Sequence, residues 1–190
     1  MTIRGLLVDL DGTLVDTSGA NYAAYAAALS SFGIAIDEAW WASRAFGRNW
    51  RDFLPELLAD HPEVEPRAIA ERKAAIYAEH LSASRLNHAL AQLIAGVGPD
   101  IRTALVTTAS RAGVSAVLDH HGVAGLFDAV VTGDDVREHK PSPEAYILAA
   151  HRLGLSPDAC LAIEDSPVGI AAARASGAQC LVVRHDGGVA

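Results

Sequence analysis

Cysteine is scarce. Cys160 and Cys180 are the only two in 190 residues, too few for a disulfide framework. Each opens a short apolar run, Cys160-Leu-Ala-Ile and Cys180-Leu-Val-Val, the setting of a buried free thiol. Lysine is equally rare: of 15 basic residues only Lys73 and Lys140 are lysines. Acidic groups outnumber basic ones, and the net charge of −8 excludes non-specific binding to nucleic acid or anionic membrane, which needs clustered Lys and Arg. Phosphate chemistry stays open, because it needs positive charge in one pocket only. Long apolar runs are absent as well. The longest Ala-rich stretch, Ala20 to Ile36, is broken by Asn21, two Tyr, two Ser and Gly33 and is too weakly apolar for lipid. The N-terminus lacks a charged segment followed by a long apolar core, so no secretory signal is expected and the cytoplasm is the expected location. A hydrophobic fraction of 51% with 20% charged residues excludes a disordered chain, and the length suits one domain carrying a modest insertion.

What is present is an alternation. Ile3 to Asp9, Arg102 to Thr107, Ala129 to Thr132, Ala159 to Ile163 and Gln179 to Val183 are short apolar runs bounded by polar residues or glycine, the pattern of strands buried on both faces. Helical spacing fills the gaps: Gly113 to His121, Pro143 to Leu153 ending at Gly154, and Pro167 to Ser176 ending at Gly177. Ser142-Pro143 and Ser166-Pro167 are start signals, with serine as cap and proline in the first turn. Strands alternating with helices imply an α/β fold, a Rossmann-like open parallel sheet with helices on both faces. Residues 17–87 differ. They hold helical pattern, all three Trp, Pro55, Pro62 and Pro66, and no convincing strand; they read as an inserted all-helical cap domain, leaving 1–16 and 88–190 as the core domain.

Polar residues collect after the strands. Asp9 and Asp11 follow the first, Thr107, Thr108 and Ser110 the second, Asp134-Asp135 and then Lys140 the third, Glu164-Asp165-Ser166 the fourth. The carboxyl ends of strands in an open α/β sheet share one rim, where ligands bind. Several carboxylates in one pocket need a compensating cation, and oxygen ligands without His or Cys favour Mg²⁺. Such an ion beside a lysine, a hydroxyl and loop amides makes a phosphate site. One carboxylate there can attack phosphorus, and a second, two residues on, can move the proton.

Asp9-Leu10-Asp11-Gly12-Thr13-Leu14-Val15-Asp16, Leu105-Val106-Thr107, Lys140-Pro141-Ser142-Pro143-Glu144 and Glu164-Asp165-Ser166-Pro167-Val168-Gly169-Ile170 resemble, in order, the four motifs of the haloacid dehalogenase superfamily. The match is best to the branch with a helical cap after the first strand, which includes phosphoglycolate phosphatase and β-phosphoglucomutase. The resemblance implies Asp9 as nucleophile, Asp11 as general acid/base with its carbonyl on the metal, Thr107 and Lys140 on the phosphoryl oxygens, and Asp165 as a Mg²⁺ ligand supported by Glu164. Amides near Leu10, Asp11 and Thr108 complete the phosphate cradle. The dehalogenases of the superfamily need neither the Asp11 carboxyl nor Mg²⁺, so this chain resembles the phosphoryl-transfer enzymes. Asn21, Arg48, Trp50, Arg51 and Lys73 are the cap candidates for reading the substrate, and Trp40 and Trp41 the cap core.

Those readings imply a Mg²⁺-dependent phosphatase of a small phosphorylated metabolite, working as a monomer or weak homodimer. The alternatives are a β-phosphoglucomutase-like phosphomutase and a phosphate- or metal-binding module without turnover. Asn21 stands where mutase-like sequences have histidine, which disfavours the mutase. The linker before Leu90 lacks the Pro-Gly common in relatives. The chain stops soon after its fifth strand, at His185-Asp-Gly-Gly-Val-Ala, so the sheet edge there is expected to be bare or covered by a partner.

Overall fold

The computed structural model describes residues 2–45 and 48–183; the terminal segment 185–190 named above lies outside them. In chain order the elements are β1 (Gly5–Val8), β2 (Val15–Asp16), α1 (Ser18–Ser30), α2 (Glu38–Arg44), α3 (Trp50–Leu57), α4 (Pro66–Ile76), β3 (Arg85–Leu86), α5 (His88–Ala95), β4 (Arg102–Val106), α6 (Arg111–His121), β5 (Ala129–Val131), α7 (Glu144–Arg152), β6 (Cys160–Glu164), α8 (Pro167–Ala175) and β7 (Gln179–Val182). They fall into two units, Met1–Asp16 with Arg85–Ala190, and Thr17–Ser84.

In the first unit five strands pair in parallel in the order β5-β4-β1-β6-β7. Chain direction across the sheet reverses beside β1, whose neighbours are β4 and β6; that reversal opens the crevice where α/β sheets bind ligands. β1 is buried along its whole length, which explains why it reads as an unbroken apolar run rather than an alternating one. One face packs Leu7, Ala104, Val106, Val131 and Ala162 against Tyr146, Ala149, Ala150, Ala172 and Ala173 of α7 and α8. Alternate residues point the other way, and Leu6, Val8, Leu105 and Ile163 are buried there too.

Local signals account for most boundaries. Ser166 Oγ accepts from the Gly169 amide and starts α8, and Ser110 does the same for α6. Gly122, Gly154 and Gly177 sit at positive φ just past α6, α7 and α8, the left-handed stop that glycine adopts without strain. α7 begins at Glu144, one residue later than expected, with Pro143 in the cap position, while Ser142 Oγ accepts from the Glu144 amide at 3.4 Å. Asn87 caps α5 through its side chain, which accepts from the Leu90 amide at 3.1 Å. Two corrections concern strands. Arg85–Leu86, inside the stretch read as strand-free, pairs antiparallel with Val15–Asp16, a ribbon too short to leave a periodic pattern. Cys160 is buried as expected, but Cys180 is only half-buried, because β7 is an edge strand.

The second unit is helical throughout its described length, apart from turns. Tyr25, Trp41 and Phe53 form its aromatic centre, with ring centroids 5.2 to 5.7 Å apart, the separation and tilt that aromatic quadrupoles favour. Leu29, Ile34, Leu54, Leu58, Ile69 and Ile76 close around them. Trp41 is buried as expected and Trp40 packs beside it, partly exposed. Pro66 occupies the first turn of α4, whereas Pro55 lies inside α3. Among the described residues, no helix is long and apolar enough to cross a membrane.

Candidate active site

The loop after β1 is a tight knot. The Leu10 carbonyl accepts from the amides of Thr13, Leu14 and Val15 at 3.3, 3.1 and 2.9 Å, and the Gly12 amide returns to the Val15 carbonyl at 2.9 Å. Asn87 ties the knot down, donating from its side chain to the Thr13 carbonyl at 3.2 Å and from its amide to the Leu14 carbonyl at 2.8 Å. Asp9 leaves β1 still in the ladder, its amide donating to the Ile163 carbonyl at 3.0 Å. Its carboxylate is thereby fixed beside the end of β6.

There it meets its partners. Oxygen atoms of Asp9, Glu164 and Asp165 lie within 4.8 Å of one another. Lys140, with a side chain only 4% exposed, bridges two of them: Nζ donates to Asp9 Oδ1 at 2.5 Å, to Glu164 Oε1 at 2.6 Å and to the Val106 carbonyl at 3.0 Å. An ammonium has three protons, and all three are used. Burial pushes the Asp9 carboxyl up to about 7, with Lys140 pulling it down and Glu164 and Asp11 pushing it further up. Burial works against the charge of Lys140 too, yet Asp9 and Glu164 hold its ammonium above the ordinary lysine value. The pocket therefore carries more negative charge than its one lysine balances.

Glu164 is fully buried and accepts five hydrogen bonds. Oε1 takes Lys140 Nζ and the Tyr146 hydroxyl, at 2.6 and 2.8 Å. Oε2 takes the Asp165 amide, the Ser166 amide and the Ser166 hydroxyl, at 3.1, 3.2 and 3.1 Å. It thus rests on the first turn of α8, where exposed amides and the helix dipole favour an anion. Asp165 is held by Thr13, whose hydroxyl donates to Oδ1 at 3.2 Å. Thr107 Oγ1 donates to Asp11 Oδ2 at 3.4 Å and accepts from the Ala109 amide at 3.0 Å.

Two glycines are steric necessities. A Cβ on Gly12, at φ +87°, would stand 2.1 Å from Asp165 Oδ2, and one on Gly169 would stand 1.8 Å from Glu164 Oε1. Gly12→Ala is expected to strain the loop and push the Asp165 carboxylate away from Asp9. A fall in turnover of roughly a hundredfold, the scale of a 1 Å misplacement, with a weaker response to added divalent cation, checks this by steady-state assay.

Not every polar residue on the rim joins the cluster. Asp135, on the same rim after β5, clamps its own loop. Oδ1 accepts from Arg111 at 2.6 Å and Arg152 at 2.7 Å, and Oδ2 from the Thr132 amide and hydroxyl, both at 2.8 Å. Despite partial burial, these donors hold its carboxyl far below the usual range. Asp134 accepts from the Arg111 amide at 2.8 Å, and Ser110 is a helix cap. Thr108 is exposed, and its carbonyl crowds Gly133, where a Cβ would come within 2.4 Å. The Leu10 side chain is buried. Thr13 and Tyr146 are the two contacts the sequence did not disclose.

Within the helical unit, Asn21 and Lys73 come together: Lys73 Nζ donates to Asn21 Oδ1 at 2.8 Å and lies 3.8 Å from the centre of the Tyr77 ring. The Asn21 amide group donates to the Thr17 carbonyl and hydroxyl, both at 3.2 Å. Arg51 stacks on Trp50, 4.4 Å from its ring centre. Arg48 is engaged elsewhere, donating to the Arg44 carbonyl, the Asp52 carbonyl and Glu56 at 2.6, 3.2 and 3.3 Å.

Comparison with known proteins agrees with this arrangement. The profile of haloacid dehalogenase-like hydrolases matches residues 3–177. The fructose-1-phosphate phosphatase YqaB of Escherichia coli K12 is 31% identical over 180 residues, 95% of this chain and 96% of that protein. Hexitol phosphatase A of the same organism is 33% identical over 186 residues, 96% of this chain and 84% of that protein. The crystal structure of CbbY from Rhodobacter sphaeroides in complex with phosphate superposes with a TM-score of 0.84 at 28% identity, covering 97% of this chain and 90% of that one. A strand-end aspartate pair, a buried lysine and a Glu-Asp pair on one rim, in a chain with such relatives, lead to one assignment: this protein belongs to the haloacid dehalogenase-like hydrolases.

Proposed function

We propose that this chain is a phosphatase that hydrolyses the phosphate monoester of a small phosphorylated metabolite, a sugar phosphate in the first instance, through a phosphoryl group carried on Asp9. The observation behind this reading is the Asp9–Lys140–Glu164 bridge beside Asp165, a buried group of acids with one fixed cation. The printed activities of relatives that cover nearly the whole chain support the substrate class.

The donor set suits a hard divalent ion: three carboxylates converge, and burial already lifts Asp9 towards neutrality. We assign Mg²⁺ to Asp9 and Asp165, with the Asp11 carbonyl joining and Glu164 in support. Bound there, it would offset carboxylate charge and polarise a phosphoryl oxygen. The protein's own residues do the rest. A carboxylate oxygen of Asp9 attacks phosphorus as the ester oxygen departs, and Asp11 gives that oxygen its proton. Asp11, now ionised, takes a proton from water as the water oxygen attacks the phosphoryl group, and Asp9 is released. Lys140 and Thr107 neutralise and orient the phosphoryl oxygens, and the amides near Leu10, Asp11 and Thr108 cradle them. To the helical unit we assign recognition of the organic group, through the Asn21–Lys73 pair, the Trp50–Arg51 stack and Arg48.

The test is phosphate release from a panel of sugar phosphates, phosphoglycolate and nucleotides, with Mg²⁺ and with chelator. Mg²⁺-dependent release on at least one compound is expected. Conversion of a hexose phosphate to its isomer only with a bisphosphate primer would replace this reading by the mutase. A folded protein that turns over nothing on the panel would leave a binding module.

Divalent binding should also depend on pH. The Asp9 carboxyl is raised from 3.8 to about 7, so the folded chain holds a proton that the unfolded chain has lost. Without metal, stability from this group is therefore present at acid pH and lost as pH rises through about 7. Because proton and cation compete for the same oxygens, the increase in Tm on adding Mg²⁺ is expected to be larger at pH 8 than at pH 6. Thermal melts at both pH values, with and without the ion, measure it.

A further inference from the structure

Tyr146 has no place in the chemistry just described, yet its position is specific. It is fully buried in α7, on the side that carries Ala145, Ala149 and Ala150 into the core. Periodicity alone would make it a core residue. Its hydroxyl, however, donates to Glu164 Oε1 at 2.8 Å, the same oxygen that Lys140 Nζ reaches at 2.6 Å. The ring lies against the lysine as well, its centre 5.1 Å from Nζ. The loop that carries Lys140 is attached to the same helix, because the Glu144 carboxylate accepts from the amides of Arg137 and Glu138 at 2.9 to 3.2 Å.

We propose that Tyr146 is a positioning residue: its hydroxyl shares Glu164 Oε1 with Lys140 and so keeps the ammonium divided between Glu164 and Asp9. The physical reason is competition. An oxygen that accepts two donors holds each less strongly than one that accepts a single donor. Without the hydroxyl, Oε1 draws the ammonium towards Glu164 and away from Asp9, in a buried site where charges are poorly screened. Glu164 keeps three donors on Oε2, so its own place does not change. The buried phenol is poorly suited to act as an acid or base itself. Burial first, and the Asp9 and Glu164 charges after it, hold its proton on well above the ordinary tyrosine value. It can therefore act only as a fixed donor.

This inference rests on the phosphatase reading for its kinetic consequence but not for its geometry, and the test separates the two. Tyr146→Phe keeps the ring and removes the hydroxyl. The expected kinetic result is a kcat lower by about tenfold, the size of one hydrogen bond to a charged group, with KM changed less than twofold. The same substitution made in Glu164→Gln should add almost nothing, because the hydroxyl acts through that carboxylate. A purely structural role would lower the fraction of folded enzyme and leave the kcat of the folded part unchanged. The second readout needs no turnover. The chain has only two lysines, so ¹⁵N-lysine labelling gives two side-chain ammonium resonances, assigned by Lys73→Arg. In Tyr146→Phe the Lys140 resonance should shift while the Lys73 resonance stays. An unshifted Lys140 resonance in folded protein overturns the proposal whether or not the wild type hydrolyses phosphate esters. So does a kcat equal to wild type. An inactive wild type with a shifted resonance would instead sink the phosphatase reading and keep the positioning role of Tyr146.

Discussion

Asp9→Asn lowers the turnover of p-nitrophenyl phosphate by on the order of 10,000-fold, as expected when the group that forms the covalent intermediate is removed from a set acting as a unit. The substitution is nearly isosteric, so the backbone tie to Ile163 and the packing of β1 are unaffected. The amide oxygen can still accept from Lys140. What is lost is a nucleophilic oxygen and one unit of negative charge. Two side effects identify the cause. Stability in the absence of metal should rise, because one member of an overcrowded acidic group has gone. The added protection by Mg²⁺ should shrink, because a carboxylate ligand has gone with it. Asp11→Asn should also abolish turnover but leave the Mg²⁺ protection in place, since its side chain lies outside the three-carboxylate cluster. Retention of more than a tenth of the activity in Asp9→Asn would remove the aspartyl-phosphate from the mechanism.

The second large effect is on both stability and rate. Lys140→Met removes the one cation that bridges Asp9 and Glu164. Deleting one partner of a buried ion pair costs about 3–5 kcal/mol, because the charge left behind has neither water nor a partner. The loss should depend on pH in a defined direction. Asp9, without the cation that pulls its pKa down, is raised further in the folded state, so the variant is stabilised by protonation at low pH and loses that stability as pH rises. Chemical denaturation is therefore expected to show a smaller deficit at pH 5 than at pH 8. Activity should fall roughly a thousandfold even at saturating Mg²⁺, because the phosphoryl oxygens lose their fixed positive neighbour. Lys140→Arg is not a rescue. A planar guanidinium cannot reproduce the three-way contact to Asp9, Glu164 and the Val106 carbonyl in a pocket shaped for one nitrogen.

Much of this was legible in the chain because local chemistry carried it. Ser166-Pro167 announced α8, and Gly154 and Gly177 announced helix ends, because capping and positive φ are decided within a few residues. The acids after β1 and β6 were legible for a different reason: a run buried on both faces must end before a charge, so strand ends declare themselves. The β2–β3 ribbon was invisible, since two residues carry no period. Tyr146 was hidden for the opposite reason. Its spacing with Ala145, Ala149 and Ala150 is that of an ordinary apolar face, and only its hydroxyl, which spacing does not register, belongs to the site. Asp134 and Asp135 follow a strand as Asp9 does, and position alone does not tell the two places apart. What separates them is the pair of arginines, Arg111 and Arg152, brought from two helices to Asp135.

The primary structure alone settled the sequence of the five strands of the parallel sheet and their alternation with helices, the α/β class and the acids and lysine available at strand ends, since each depends on short-range backbone preference or on the need to exclude charge from a buried strand. Tertiary folding decided which of those acids face one another and which are neutralised by arginine. It alone placed Tyr146, 18 positions before Glu164, next to the oxygen that anchors Lys140. Pair distances across a sheet arise from strand order, and in this chain Asp9 and Glu164 become neighbours only because β1 lies directly beside β6.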